Sequence, residues 1–310
     1  MEMGMVGLGR MGGNMSLRLL KKGHRIVTFD QSADAVKGYT EKGAVGANTL
    51  EDFVKAFKDR PRVMWIMVPA GPPTTQTIDK LVELGDAGDI IIDGGNTNWK
   101  IALEDSARVK AKGMHYVDAG TSGGIWGLEF GYCLMVGAEQ ETYDHILPLL
   151  KDLAPDDGGL VRTGPEGSGH FVKMVHNGVE YGLMQAYAEG FQVMKLSKTF
   201  PGMNMQAIAE AWRSGSVVRS WLLDLIARGL SQDPELSTIK GWVEDTGEGR
   251  WTVEAAIDES VPVPIIAESL FARFRSRMEN TFGDRLLAMM RNQFGGHAVV
   301  TDATGEKART

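Results

Sequence analysis

One stretch in the middle of the chain could perform acid–base chemistry from a single surface: Gly167-Ser168-Gly169-His170-Phe171-Val172-Lys173-Met174-Val175-His176-Asn177-Gly178-Val179-Glu180-Tyr181. At about 100° per residue, offsets of three, four and seven from Lys173 fall within an arc of roughly 100°. Lys173, His176, Asn177 and Glu180 therefore share one helix face, with Tyr181 at its border. A lysine enclosed by a ligand and its own helix loses much of its preference for charge and can act as a base near neutral pH. A carboxylate two turns further on can serve as a general acid. The same spacing also describes a solvated helix face with a Lys–Glu pair. The stripe becomes chemistry only if the fold buries it.

A second motif concerns a ligand rather than a reaction. Gly7-Leu8-Gly9-Arg10-Met11-Gly12 stands between a predicted strand and a predicted helix. In that context the first glycine permits a tight turn, the second lets backbone N–H groups approach a pyrophosphate, and the third allows close helix–strand packing. Without a dinucleotide, the loop is an ordinary glycine turn. Asp30 ends the second predicted strand, 23 residues after Gly7, and Gln31 and Ser32 follow it. A carboxylate there accepts hydrogen bonds from the adenine ribose hydroxyls and repels a 2′-phosphate, and no arginine follows to hold one. Read this way, Asp30 favours NAD over NADP; the alternative is an exposed turn aspartate. Val68-Pro69-Ala70-Gly71 and Asp93-Gly94-Gly95-Asn96 each follow a predicted strand, at the edge where open α/β sheets bind ligands.

The elements that must position these residues alternate along the first half of the chain. Strands are predicted at 3–6, 25–30, 63–68, 90–93, 116–119, 133–136 and 159–162. Helices are predicted between them at 11–22, 33–42, 49–57, 74–84, 100–112 and 143–153. This alternation implies a Rossmann-like, doubly wound, mostly parallel sheet. After Pro165 the texture becomes helical, beginning with one long helix over 169–196. Interruptions are expected near Pro201, near Asp233-Pro234, over 244–250, and at Pro262 and Pro264. The expected organisation is a dinucleotide-binding domain over 1–165 and an all-helical substrate-binding and oligomerisation domain over 166–310.

Bulk properties narrow the class. The 310 residues, 43% of them hydrophobic, suffice for a large core and more than one domain. The net charge of −7 argues against general nucleic-acid binding, while leaving room for a local basic cluster that binds a small anion. The single cysteine, Cys133, excludes an intrachain disulfide and a cysteine-based zinc site. The N-terminus shows no basic–apolar–small signal pattern, and no apolar run approaches the roughly 18 residues needed to span a bilayer. A soluble cytoplasmic protein without membrane partners is expected.

Taken together, the motifs resemble the 6-phosphogluconate dehydrogenase family in its short, often NAD-preferring form. The likeness rests on Gly7 to Asn14, Val68 to Gly71, Ile92 to Asn96, Ser122-Gly123-Gly124, the 169–181 run, Phe271-Ala272-Arg273, and Arg291-Asn292-Gln293-Phe294-Gly295-Gly296-His297. The glycine loop and Ser122-Gly123-Gly124 also occur in the wider β-hydroxyacid dehydrogenases; Lys173 to Tyr181 and Arg291 to His297 discriminate more sharply.

The resemblance implies oxidative decarboxylation of 6-phospho-D-gluconate to D-ribulose 5-phosphate and CO2, without a metal. It implies Lys173 as base, Glu180 as acid, and Asn96, Ser122, Gly123, Gly124, His176 and Asn177 as holders of the substrate carboxylate and hydroxyls. It further implies Tyr181, Arg273 and Arg291 at the 6-phosphate, with His297 nearby. Gly7, Leu8, Gly9, Arg10, Met11, Gly12, Asp30, Val68, Pro69, Ala70 and Asn96 would hold the cofactor. Arg291 and His297 would reach a neighbouring subunit's site, which implies a homodimer or homotetramer.

The chain departs from the long form of that family in three ways. It is about a third shorter. It carries Ile125-Trp126 where the long form has acidic residues, and Asp245 to Trp251 lacks the long form's phosphate-binding Lys and Thr. Two other readings remain: a β-hydroxyacid dehydrogenase acting on a non-phosphorylated acid such as 3-hydroxyisobutyrate, and a non-catalytic dinucleotide sensor.

Overall fold

The computed structural model describes residues 1–295, 299–300 and 307–308. The first half alternates as β1 (Glu2–Val6), α1 (Arg10–Lys21), β2 (Arg25–Phe29), α2 (Ala33–Thr40), β3 (Val45–Gly46), α3 (Leu50–Lys55), β4 (Val63–Ile66), α4 (Pro72–Leu84), β5 (Ile90–Asp93), α5 (Trp99–Ala111) and β6 (His115–Ser122). A 3₁₀ turn at Gly124–Trp126 leads into α6 (Gly127–Phe130), β7 (Cys133–Gly137), α7 (Gln140–Leu153) and β8 (Leu160–Gly164). Helices follow: α8 (Ser168–Lys195), α9 (Met205–Trp212), α10 (Trp221–Gln232), α11 (Glu248–Asp258), α12 (Pro264–Ser276) and α13 (Phe282–Gly295). Two-residue strands at Val299–Val300 and Lys307–Ala308 pair antiparallel.

The eight long-sheet strands are ordered β3-β2-β1-β4-β5-β6-β7-β8, with every pairing parallel except β6 with β7. The central strands β4 and β5 read as near-continuous apolar runs because both faces are buried. Alternate residues serve opposite faces: Met3, Met5, Ile90, Ile92 and Val117 enter one core, and Val6, Ile66, Ile91 and Tyr116 the other. The order reverses at β1, so the loops after β1 and β4 splay apart and leave a crevice at the carboxyl edge.

Two expectations need correction, and one strand was not foreseen. The edge strand β3, too short to show alternation, pairs with β2 in the register Val27↔Val45 and Thr28↔Gly46. The helix expected over 49–57 is shorter, because Thr49 caps it, accepting the Asp52 N–H at 3.0 Å. The interruption expected over 244–250 ends early: α11 begins at Glu248 behind Gly247, whose φ is 106°.

The chain divides into two compact units, one comprising 1–180 and 247–261, the other 181–246 and 262–310. In the second, Met205, Ala209, Leu223, Ala227 and Leu230 form a small helical core.

Within the first unit, α8 begins against the sheet itself. A Cβ built on Gly169 would lie 2.4 Å from the Asp118 carbonyl oxygen, 2.5 Å from that of Met135 and 2.7 Å from the Gly137 nitrogen. One on Gly120 of β6 would lie 2.4 Å from the Cβ of Lys173. We expect Gly169→Ala to destabilise the protein by about 1–3 kcal/mol. Alanine's better helix propensity offsets only about 1 kcal/mol, and the crowding atoms are backbone, which has no rotamer to give. Thermal unfolding checks this; an unchanged or raised midpoint would contradict the close docking.

Candidate active site

The crevice between the loops after β1 and β4 has a volume of about 360 Å³ and is lined by residues including Gly9, Arg10, Met11, Gly12, Val68, Pro69 and Asn96. Its floor is the start of α1. The N-cap residue Gly9 supplies no side-chain cap, and a Cβ there would meet nothing within 4 Å. The first-turn N–H groups thus face open space, an arrangement suited to an anion. Gly12 is required for a different reason: a Cβ would strike the Gly7 carbonyl oxygen at 2.1 Å. Asp30 is anchored to the same loop, its Oδ2 accepting the Leu8 N–H at 2.7 Å and its Oδ1 the Ser32 N–H at 2.8 Å. Each oxygen keeps a lone pair for a ribose hydroxyl. The cradle therefore fits a dinucleotide pyrophosphate with its ribose on Asp30. Ala70 is exposed beyond Pro69.

Asn96 connects this crevice to the end of β6. Its φ is 54°, its Oδ1 accepts the Thr121 N–H at 3.1 Å, and its Nδ2 donates to the Thr121 carbonyl at 3.3 Å. Ser122 follows as the last residue of β6, in register with Cys133 on β7. Gly123 and Gly124 then turn the chain at φ 135° and 52°.

Lys173 sits one turn into α8 and is only 5% exposed. Its Nζ donates to Asn177 Oδ1 at 2.6 Å. The same oxygen lies 3.0 Å from His176 Nδ1, so that nitrogen carries the proton if the contact is a hydrogen bond. Burial pulls the Lys173 ammonium below its ordinary range, opposed by the negative charges of Glu180 and Glu248. The lysine of the stripe is therefore enclosed rather than solvated.

Glu248 was read from the sequence only as part of a loop. It is 9% exposed at the start of α11. Thr252 docks that helix on α8, its Oγ1 donating to the carbonyls of Met174 and Glu248, both at 2.8 Å. The absence of a side chain on Gly178 permits the crossing, since a Cβ there would lie 2.7 Å from Thr252 Cγ2. Nothing in the local sequence signals this contact.

In the second unit, the Arg273 guanidinium stacks on the Tyr181 ring, 3.4 Å from its centroid, and donates to the Glu244 carbonyl at 2.9 Å. Tyr181 Oη accepts the Thr246 N–H at 3.3 Å. Asp245 pairs with Arg277 at 2.8 Å. The structure therefore brings Tyr181 and Arg273 together. Arg291 is an exposed residue of α13, and His297 lies outside the described residues.

Comparison with known proteins assigns the chain. Residues 2–163 match the model of the NAD binding domain of 6-phosphogluconate dehydrogenase, and residues 169–306 match that of the 6-phosphogluconate dehydrogenase C-terminal domain. The chain belongs to the 6-phosphogluconate dehydrogenase family. Within that family it is 41% identical to the Haloferax volcanii NAD(+)-dependent, decarboxylating 6-phosphogluconate dehydrogenase, covering 96% of this chain and 98% of that one. The Bacillus subtilis protein YqeC is also 41% identical, over 96% of this chain and 99% of its own length. A longer relative, the decarboxylating 6-phosphogluconate dehydrogenase of Lactococcus lactis MG1363, is 35% identical over 88% of this chain but only 61% of its own. Among solved structures, Plasmodium falciparum 6-phosphogluconate dehydrogenase superposes with a TM-score of 0.83 at 27% identity, covering 98% of this chain and 67% of that one. Mycobacterium tuberculosis 3-hydroxyisobutyrate dehydrogenase shares the fold, with a TM-score of 0.69 at 23% identity over 86% and 90% of the two chains.

The environment of Lys173 makes a prediction independent of turnover. Followed by NMR, the Lys173 amine should titrate below the 10.5 of a free lysine. Glu248→Gln removes a charge that helps the lysine keep its proton, so the midpoint should fall further. An unmoved midpoint would show that Glu248 does not act on Lys173.

Proposed function

We propose that this chain catalyses the oxidative decarboxylation of 6-phospho-D-gluconate to D-ribulose 5-phosphate and CO2, with NAD as the preferred cofactor. The observation that carries this reading is the buried Lys173, its ammonium destabilised by desolvation, on the helix that also carries Glu180.

Bound NAD supplies the hydride acceptor. Lys173, neutral at the outset, takes the proton of the substrate's 3-hydroxyl as that carbon is oxidised. Asn177 holds the amine, and His176 holds Asn177 through the same amide oxygen. The protonated Lys173 then faces the new carbonyl oxygen and stabilises the negative charge that gathers there as CO2 leaves. Glu180 delivers a proton to C1 of the product, the former C2 of the substrate, completing the ketone. Asn96, Ser122, Gly123 and Gly124 orient the carboxylate and hydroxyls.

Tyr181, Arg273 and Arg291 bind the 6-phosphate, with His297 beside them. Stacking and the Glu244 carbonyl fix the plane of the Arg273 guanidinium, leaving N–H groups for a bidentate grip.

The working form is a homodimer or homotetramer with shared sites, in the cytoplasm. In support of association, large apolar side chains stand well exposed on the second unit, among them Val193 at 73%, Leu196 at 66% and Phe282 at 72%. Among the described residues no helix is long and apolar enough to cross a membrane.

Purified protein should release NADH and CO2 from 6-phosphogluconate and turn over gluconate far more slowly. Equal rates on the two acids would favour a β-hydroxyacid dehydrogenase of non-phosphorylated substrates. Lys173→Gln should lower kcat by at least 10³-fold while NAD still binds, since it removes the base; turnover within a few-fold of wild type would exclude Lys173 from that role. Arg273→Ala should raise KM for the phosphorylated substrate by one to two orders of magnitude, with a smaller effect on kcat.

A further inference from the structure

Beneath the first turn of α8 lies a buried polar cluster that the mechanism above does not use. Asp93 at the end of β5 and Asp118 on β6 are register neighbours, and both are fully buried. Adjacent strands lie about 4.8 Å apart, so two carboxylates placed this way repel each other in a dry setting.

Yet all four oxygens meet donors. Asp93 Oδ1 accepts the Gly95 N–H at 2.8 Å, and its Oδ2 accepts the Tyr116 hydroxyl at 3.1 Å. Asp118 Oδ1 accepts the Gly167 N–H at 2.6 Å, and its Oδ2 the His170 N–H at 2.7 Å. The two backbone donors on Asp118 favour its anionic form.

The remaining member is the His170 side chain. It is 1% exposed, its Nδ1 lies 3.8 Å from Asp93 Oδ2, and neither ring nitrogen has a hydrogen-bond partner. Burial pushes the Asp118 carboxyl above its ordinary range, and the His170 ring is the strongest influence pulling it back. Asp105 of α5, paired with Arg108, adds to the negative side. Lys173 follows one turn along the same helix as His170.

The two carboxylates govern different parts of the site. Asp93 holds the Gly95 N–H and so the turn that presents Asn96. Asp118 holds the N–H groups that start α8. We propose that the His170 imidazole, set between Asp93 and Asp118, is a positioning residue that locks the first turn of α8 to the Gly94–Asn96 loop and so fixes Lys173 relative to the crevice. It touches neither substrate nor cofactor and acts through the two carboxylates.

The kinetic half of the test rests on the proposed reaction, which turnover of wild-type protein checks separately; the thermal half does not. His170→Gln keeps a polar side chain of similar length but removes the imidazole ring. It should lower kcat by 10- to 100-fold, as displacement of a reacting group by an ångström does, with KM for 6-phosphogluconate within about threefold. The isotope effect with 3-deuterated substrate should rise as the chemical step becomes limiting.

Asp93→Asn/His170→Gln, which removes one of the two facing charges, should be less impaired than the product of the two single effects. The same non-additivity should appear in the melting temperatures. Wild-type kcat and isotope effect in His170→Gln would overturn the proposal, as would multiplicative kcat losses with additive shifts in melting temperature. If His170→Gln does not fold, the double variant should; failure of both would overturn the proposal equally.

Discussion

The site depends on how closely the start of α8 seats on β6 and β7. Gly169 and Gly120 remove the two side chains that would hold helix and sheet apart, and Asp118 ties the helix start down through two backbone N–H groups. The consequence is chemical. A lysine on a helix standing off the sheet would be hydrated, charged and useless as a base. Seated as it is, Lys173 loses its water, and its ammonium becomes less favourable. In the proposed reaction the same group must later hold the proton it takes, so desolvation needs a counterweight. Glu180 and Glu248 pull in the opposite direction. A base that must gain and then use a proton works best when its pKa lies near the working pH.

The seating also explains why so much of the machinery lies on one helix. Residues of α8 rise about 1.5 Å each, so the spacing from Lys173 to Glu180 is set by covalent geometry and backbone hydrogen bonds rather than by loops. Tyr181, the next residue, supplies the platform for Arg273. The loops contribute where backbone rather than side chains must meet a ligand: the start of α1, the turn at Asn96 and the glycines after Ser122.

This division accounts for what was legible in the sequence. The glycine loop, Asp30 and the Lys173–Glu180 stripe are visible because they follow local rules of turn chemistry and helical period. The strand alternation likewise reveals the doubly wound sheet, since runs such as Ile90 to Ile92 are buried on both faces. Partnerships made by register between distant segments leave no such trace. Asp93 and Asp118 read as acids ending or interrupting apolar strands; only the β5–β6 pairing places them side by side beneath His170. Glu248 was hidden similarly, because its position depends on Thr252 meeting α8 at Gly178. Arg273 reads alone as a helix-surface cation, and its stacking on Tyr181 becomes visible only in three dimensions.

Cofactor selection follows the same logic of pre-placed charge. Asp30 is held by the Leu8 and Ser32 N–H groups before any ligand arrives, so it cannot swing away from a 2′-phosphate without giving up the contact that shapes the glycine loop. Two unit charges 4 Å apart repel by about 1 kcal/mol in bulk water and about 4 kcal/mol at an effective dielectric of 20. Asp30 is half-buried, which places the penalty between those limits, roughly five-fold to a thousand-fold in affinity. Ribose hydroxyls meet the opposite situation, an acceptor already oriented at little further entropic cost. The glycine loop is thus tied by hydrogen bonds to the residue proposed to distinguish one dinucleotide from another.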